Sequence, residues 1–581
     1  MGCDEWHPEP FVVGLPELHV NSGPPVLQFT GLFLAGQEPF QLAWFKDGQP
    51  LDEGSHLQGT SATSLTIRGF SPDDAGNYQL VAHNDFGAHT GSVVRVRVHC
   101  VDASCPAPQF PYSNWFSAAA TLQSAIDAAE PGALVLVTNG IYAAGGKAMG
   151  DGLTNRVALD KPLKVFSVNG PDQTIIRGAW DPATNGPAAI RCAWMTDGAQ
   201  LIGFTLTGGA TLSTGASSRD GGGVWAGSTN ALVANCVISN NVSAYRGGGG
   251  CNAHFDRCIF WRNQAGFQGG GAHNSLVRNS LVVSNYAAAY GGGAYGGTLL
   301  NCTLQFNQTP LSAGGCGINS ARAHNCVIMF NFDSRIPMGI EGNYASSVLS
   351  YCCTYPPSGE GSFASSPQFL DWWHLPSTSP CVGAGSPLYA SGTDLEGEPW
   401  ANPPSIGCDE FVEANLTGPL SLSLQLFPPV TTEDCQTVLY ASLTGRVSRV
   451  AWDFGDGSVL TNVTRLTVNR TWAEPGLYPI TCTAYNADHP EGVSATTNLL
   501  VLAFTTPTLT PGTFSNGTFS LLFPTQPAVY YDVYYATNLS PPSTWTFLRS
   551  VYGDGNPAFI VDPAPASPTR FYRVRVRQTP W

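Results

Sequence analysis

The sequence predicts an all-β chain built around a parallel β-solenoid, with β-sandwich domains on either side. Three observations predict it. Gly (65) and Pro (44) are abundant among 581 residues, and both interrupt helices and punctuate turns. A 22-residue register runs through the middle of the chain. On both sides of it, apolar and polar positions alternate between turn signals, the pattern of half-buried strands.

Composition narrows the function classes. The net charge is −15 with no basic run, which argues against a nucleic-acid partner, because phosphates must be neutralised by Lys and Arg. No 18-residue apolar stretch is present, so no membrane span is expected. Sixteen cysteines without a CxxC pair do not suggest zinc. They suggest an oxidising, secreted or cell-surface setting, although residues 1–24 lack the pattern of an export signal.

Residues 8–99 contain "LAWFKDGQPL" and "SLTIRGFSPDDAGNYQLVAHNDFG", which resemble an immunoglobulin-like domain. The resemblance implies a buried core Trp44 and a tyrosine corner at Asp74-x-Gly76-x-Tyr78. Leu80 stands where the second cysteine of that family belongs.

In residues 105–412 the repeat unit is explicit. Cys236, Cys258, Ser280, Cys302 and Cys326 follow one another at 22, 22, 22 and 24 residues. Five residues after each stands an asparagine: Asn241, Asn263, Asn285, Asn307 and Asn331. Two after each is an apolar residue, Ile238 to Ile328, and Gly runs recur upstream. Gly triplets exclude a helical repeat. One short-stranded coil per repeat fits, with equivalent residues about 4.8 Å apart, the asparagines forming a ladder, and the Cys and Ile238 columns facing inward. "TLQSAIDAAEPGALVLVTNGIYAAGG" predicts a helix over 121–129 that caps the first coil. The segment resembles right-handed parallel β-helix proteins of the pectate-lyase-like class. Its end, with Ser379-Pro380-Cys381, Ala384-Gly385, Asp394-Leu395-Glu396-Gly397-Glu398-Pro399 and Ile406-Gly407, resembles the exit segment of bacterial surface β-helix proteins, polymorphic outer-membrane-protein relatives among them.

That exit explains the first residues. Gly2-Cys3-Asp4-Glu5-Trp6 recurs as Gly407-Cys408-Asp409-Glu410-Phe411. Residues 1–7 therefore resemble the last strand of a preceding β-helix, and a longer tandem parent is expected; a chance match of five residues is the alternative. Residues 415–503 carry Trp452-Asp453-Phe454-Gly455-Asp456-Gly457, which resembles the signature loop of PKD-type domains, a β-sandwich. Residues 505–581, with "YYDVYYATNL" and "FYRVRV", read as a further small sandwich, similar to C-terminal modules of large secreted bacterial proteins.

Chemistry is sparse. Between 221 and 331 the only acid is Asp256, flanked by Asp220 and Asp333, so neither a carboxylate pair for glycoside hydrolysis nor a calcium cage is available there. Tyr245, Arg246, Gln268 and Tyr290 precede successive Gly runs and are expected along one solenoid edge. Arg246 as charge neutraliser and Tyr290 or Tyr245 as base would suit a metal-free lyase of acidic polysaccharide; otherwise they decorate solvent-facing turns. His254 and His273 do not share a register, and Arg262 also lies in this stretch. Lys147, Asp151 and Arg156 sit in a long early loop and read as surface charges. Asp453 and Asp456 could hold calcium or shape a turn; no other cofactor is implied.

For the cysteines, the sandwich resemblance implies a Cys435–Cys482 disulfide, and the shared exit segment a Cys381–Cys408 one. Cys3, the counterpart of Cys408, is then expected as a free thiol. The alternatives are that all are reduced and buried, or that Cys3 pairs with Cys100 or Cys105. The functional expectation is a noncatalytic extracellular scaffold that adheres or binds carbohydrate, with a polysaccharide, cell-surface or matrix partner. The rival is a β-helix polysaccharide lyase with accessory modules.

Overall fold

The computed structural model describes residues 9–14, 17–21, 25–181, 185–215, 217–310, 315–333, 342–412, 416–463, 466–515, 518–540, 544–563 and 569–578. Cys3 and the 1–7 segment lie outside them. The chain divides into two compact units, 1–367 with 380–410, and 368–379 with 411–581.

The first unit opens with an antiparallel sandwich. One sheet contains Glu17–Asn21, Val26–Thr30 and Leu65–Arg68; the other pairs Gln41–Lys46 with Gly76–Asn84. Trp44 is fully buried against Phe29, ring centroids 5.4 Å apart, and its Nε1 donates to the Ala62 carbonyl at 2.9 Å. The Tyr78 hydroxyl donates to the Asp74 carbonyl at 2.7 Å, the contact of a tyrosine corner. Leu80 fills the core in place of a disulfide sulfur.

Strand Val98–Val101 leaves the sandwich and becomes the first strand of a ten-stranded parallel sheet ending at Val348–Ser350. The parallel β-helix has three further sheets: a second of nine strands from Gly140–Tyr142 to Cys353–Thr354, a third of nine from Lys147–Ala148 to Tyr344–Ala345, and a fourth of five from Val242–Ser243 to Phe332–Asp333. Helix Leu122–Ala128 closes its first coil; the Thr121 side chain caps it by accepting from the Ser124 N–H, and Leu122, Ala125 and Ile126 enter the solenoid core.

Each 22-residue coil turns at residues with positive φ. One corner is Asn235, Arg257, Asn279, Asn301 and Asn325, all at φ 50–52°, where asparagine tolerates the left-handed region better than most side chains. Cys236, Cys258, Ser280, Cys302 and Cys326 follow these corners and are all buried, as are Ile238, Phe260, Val282, Leu304 and Ile328. The column continues to Cys352, whose thiol donates to the Ala323 carbonyl at 3.4 Å. Asn241, Asn263, Asn285, Asn307 and Asn331 form a buried ladder: each Nδ2 donates to the next Oδ1 at 2.9–3.2 Å, ending on Asn343. Each also donates to a carbonyl of the coil before, as Asn285 does to Phe260 at 3.0 Å. A buried amide left unpaired costs about 1–3 kcal/mol, so the ladder fixes coil register.

The exit segment runs back over the outer asparagine corners. Asn325, Asn301 and Asn279 donate from Nδ2 to the carbonyls of Ser386, Tyr389 and Ser391 at 2.8, 2.9 and 3.3 Å. The Asp394 carboxylate accepts four backbone N–H groups, from Glu396, Gly397, Glu398 and Glu410, which accounts for the acid opening that motif.

The second unit contains two sandwiches. One packs Ser421–Phe427, Thr437–Thr444 and Thr467–Arg470 against a five-stranded sheet centred on Gly476–Tyr485, with Trp452 buried between. The other packs two three-stranded sheets, Thr510–Ser515 with Thr518–Phe523 and Ala558–Asp562, and Thr546–Tyr552 with Tyr530–Ala536 and Phe571–Arg577.

Both expected disulfides must be corrected. Cys435 lies in the core of the last sandwich with Leu521, Phe523 and Tyr531, whereas Cys482 lies in the preceding one with Trp452. The two thiols serve different cores because Cys435 precedes its strand rather than sitting within it. Cys408 is packed on the solenoid, its N–H donating to Thr303 Oγ1 at 3.1 Å, while Cys381 neighbours Cys353, whose thiol donates to the Ser365 carbonyl at 3.0 Å. None of the fifteen described cysteines is in a disulfide, and all but Cys105 are buried, used as small apolar side chains.

Candidate functional site on the third sheet of the β-helix

Arg246, Gln268 and Tyr290 bridge one another coil to coil. Each precedes a glycine at positive φ: Gly247, Gly269 and Gly291 at 61°, 66° and 62°. A Cβ on Gly269 would lie 2.3 Å from the Ala272 carbonyl oxygen and 3.0 Å from the His273 Cβ. Only glycine permits so tight a corner, and the corner brings two walls together.

Beyond it, the outward positions of the third sheet are Trp194, Trp225, Cys251, His273 and Tyr295, consecutive in register. Trp194 and Trp225 stack at 5.7 Å, and His273 and Tyr295 at 5.6 Å. On the facing wall Tyr245 stacks on Phe267 at 5.0 Å and Phe267 meets Tyr290 edge-on at 6.0 Å. Tyr290 and Tyr295, 6.4 Å apart, join the walls. The guanidinium groups of Arg219 and Arg246 sit 4.5 and 4.6 Å from the Tyr245 ring centroid, cation–π distances.

The electrostatics are set by burial. His273 is pushed down to about 4 by burial and by the charge of Arg246, so it is neutral at pH 7. Burial raises the Asp220 carboxyl, against the pull of Arg246, Arg219 and Arg191. The Arg246 N–H donates to Asp220 Oδ1 at 3.0 Å, and the Arg246 Nε is buried without a hydrogen-bond partner. Cys251 Sγ lies 3.5 Å from His273 Nδ1. Burial pushes that thiol far up, so it is protonated and not an activated nucleophile. Beneath the face, fully buried Arg191 donates to Asn155 Oδ1, Gly221 O, Ser217 O and Asp220 O and meets Asp151 at 3.3 Å.

The other sequence candidates are separate. His254 is on the first sheet and His273 on the third. Asp256 accepts from Asn279 Nδ2 at 2.9 Å and pairs with Arg257; Arg262 lies over Trp261. Lys147, Asp151 and Arg156 are braces rather than plain surface charges: Lys147 bridges Asp127 and Asp160, Asp151 meets Arg191, and buried Arg156 donates to Arg177 O and Gly145 O. In the PKD-like loop Asp453 accepts from the Gly455 N–H, and Asp456 accepts from Ser458 and pairs with Arg470 at 2.7 Å, which is turn chemistry. A closer acidic grouping joins Asp394, Glu398 and Asp409, all buried, with ligand atoms within 4.8 Å of one another; the four backbone donors on Asp394 make it a loop staple.

Sequence reasoning missed Trp194, Trp225, Tyr295, Arg191 and Arg219. A signal existed for part of this: Cys251, His273 and Tyr295 each stand fifteen residues after Cys236, Cys258 and Ser280.

Comparison with known proteins follows these divisions. Residues 28–98 match the immunoglobulin I-set domain model and residues 431–501 the PKD domain model. Among solved structures, pectate lyase Pel9A is similar at 14% identity, over 54% of this chain and 96% of that one, TM-score 0.28. A Bacteroides uniformis beta-glucuronidase 3 is similar at 8% identity, over 97% and 77%, TM-score 0.18. A structure described as carbohydrate-binding modules of the beta-sandwich superfamily is similar at 16% identity, over 27% and 90%, TM-score 0.15. No residue role passes from these likenesses. No described helix is long and apolar enough to cross a membrane.

Proposed function

We propose that this chain is a noncatalytic scaffold, secreted or held at the cell surface, that binds carbohydrate along the third-sheet face of its β-helix. The observation that carries the reading is the run of ring pairs, Trp194 with Trp225 and His273 with Tyr295, facing Tyr245, Phe267 and Tyr290 across a glycine corner. Aromatic rings with polar handles supply flat apolar contact next to hydrogen-bonding groups, which is what a sugar ring requires. The partner is a polysaccharide or another cell-surface or matrix component. The immunoglobulin- and PKD-matching segments act as spacers, and no cofactor is needed.

A lyase of acidic polysaccharide is the second reading. It is favoured by one observation, the Arg246 Nε buried without a partner, which could meet a uronate while Tyr290 acts as base. A glycan-array screen beside an absorbance assay for unsaturated products tests both. The expected outcome is binding without turnover, weakened about tenfold by Trp225→Ala, the loss of roughly 1.4 kcal/mol of contact. Turnover that vanishes in Arg246→Ala would replace the scaffold with the lyase, and neither binding nor turnover on any glycan would remove both.

A further inference from the structure

The last sandwich carries a second face of distinct chemistry. In one of its two sheets, Tyr530–Ala536 lies between Thr546–Tyr552 and Phe571–Arg577. Tyr531 and Val533 point into the core with Phe523. Alternation therefore sends Tyr530, Asp532 and Tyr534 to the other side. Their cross-strand partners are Arg577, Arg575 and Arg573 on one flank and Tyr552, Ser550 and Phe547 on the other. The result is a grid with a row of arginines, a central row, and a row carrying two exposed rings, Phe547 at 49% and Tyr552 at 51%.

Asp532 is committed inside this grid. It is fully buried, pairs with Arg577 at 2.6 Å and accepts from Ser550 Oγ at 2.7 Å. Arg573 and Arg575 are exposed, and among the described residues neither is in an ion pair. Arg573 lies 4.3 Å from the Trp545 ring centroid and 5.2 Å from that of Tyr534. A guanidinium lying over a ring face keeps N–H groups available for a planar or tetrahedral oxyanion. Arginines at alternate strand positions stand about 6.8 Å apart, so an extended anionic chain can meet more than one. Three arginines against one aspartate make this face positive in a chain of net charge −15.

We propose that this face binds an acidic glycan, its carboxylates or sulfates held by Arg573 and Arg575 and its sugar faces resting on Phe547 and Tyr552. Charge complementarity selects an anionic over a neutral glycan, and the exposed rings suit a sugar. A polynucleotide is disfavoured because it would need more cations than this face supplies, against the repulsion of the whole chain.

The test uses the full chain with four probes at low salt: polygalacturonate, dextran sulfate, neutral dextran and single-stranded DNA. Wild type is compared with the Arg573→Gln/Arg575→Gln double variant and, separately, with Trp225→Ala. Unchanged thermal unfolding certifies that the exposed substitutions leave the fold intact. The expected result is binding of one or both acidic glycans that falls at least tenfold in the double variant and persists in Trp225→Ala; which of the two binds identifies carboxylate or sulfate as the anion. Dextran bound as well as the acidic glycans, DNA bound in preference to them, or acidic-glycan binding indifferent to the double variant each overturns the proposal. Loss of binding in Trp225→Ala with no effect of the arginine variant would leave the β-helix reading standing and this one refuted.

Discussion

In the β-helix, the neighbour of a residue is its own equivalent one coil away; in the sandwiches beyond residue 411, it is an unrelated residue on an antiparallel strand or across a core. Asn285 illustrates the first case, hydrogen-bonded to Asn263 on one side and Asn307 on the other. Cys435 and Cys482 illustrate the second: both are buried in β-sandwich surroundings, yet they belong to different cores. Stacking turns one local requirement, such as an amide in a corner, into a column. A sandwich satisfies each requirement once, and nothing elsewhere in the sequence repeats it.

The difference has an energetic side, because a misfit in a column has nowhere to relax. Gly270 is the sharpest instance. A Cβ there would lie 2.4 Å from two backbone oxygens of the next coil, those of Gly292 and Tyr286. Those oxygens are tied into the sheet ladders and cannot retreat. Gly270→Ala is expected to cost roughly 3 kcal/mol or more, the upper end of overpacking, or to prevent folding of the first unit, while the second keeps its own unfolding transition. Calorimetry reads both. A variant with an unchanged first transition would mean that coils slide freely, and the comparison would fail.

Acid separates the two regions next. His99, His254, His273 and His324, all in the first unit, are held below the usual histidine range chiefly by burial. Each is harder to protonate in the fold than in the unfolded chain, where a histidine takes up a proton near pH 6.5. The unfolded state therefore binds more protons as pH falls, and stability is lost with it. For His273, at about 4, the loss between pH 6.5 and 4 is about 3 kcal/mol. In the second unit Asp532 is held low by its hydrogen bonds with Arg577; its contribution is present above the usual carboxylate range and disappears only as pH falls through the depressed value. Unfolding followed from pH 7 to 4.5 should thus weaken the first unit and spare the second, and His273→Asn should flatten part of the first slope. Equal acid sensitivity of the two transitions would contradict this assignment.

How much was readable follows the same division. The Cys and Asn columns were visible because corners demand a left-handed residue and the interior demands a satisfied amide, every 22 residues. Arg246, Gln268 and Tyr290 were visible because a glycine corner follows each. Trp194 and Trp225 were not, since they are separated by 31 residues in the longer early coils, where the register has no counterpart. In the sandwiches, signatures that solve a local problem were visible, Tyr78 capping its corner and Trp452 filling its core. The environment of Cys435 was hidden, because which of two adjoining cores a boundary residue enters is set by packing between modules and leaves no periodic trace.

The mildest contrast concerns glycine itself. Gly457 closes the Asp453–Gly457 loop at φ 85°, and a Cβ there would meet nothing within 4 Å. Its requirement is conformational alone, unlike that of Gly270. The turn is held from the side by Asp456, which pairs with Arg470 at 2.7 Å and accepts from the Ser458 N–H at 3.0 Å, so the loop keeps its shape after substitution. Gly457→Ala should cost about 1 kcal/mol, the penalty of placing an L side chain at positive φ, read as a small downward shift of the second unfolding transition only. Gly457→Asn should recover part of that loss, because asparagine tolerates this region. A cost at Gly457 matching that at Gly270 would show that open turns and stacked coils punish a methyl group alike, and the distinction between the two regions would then rest on register alone.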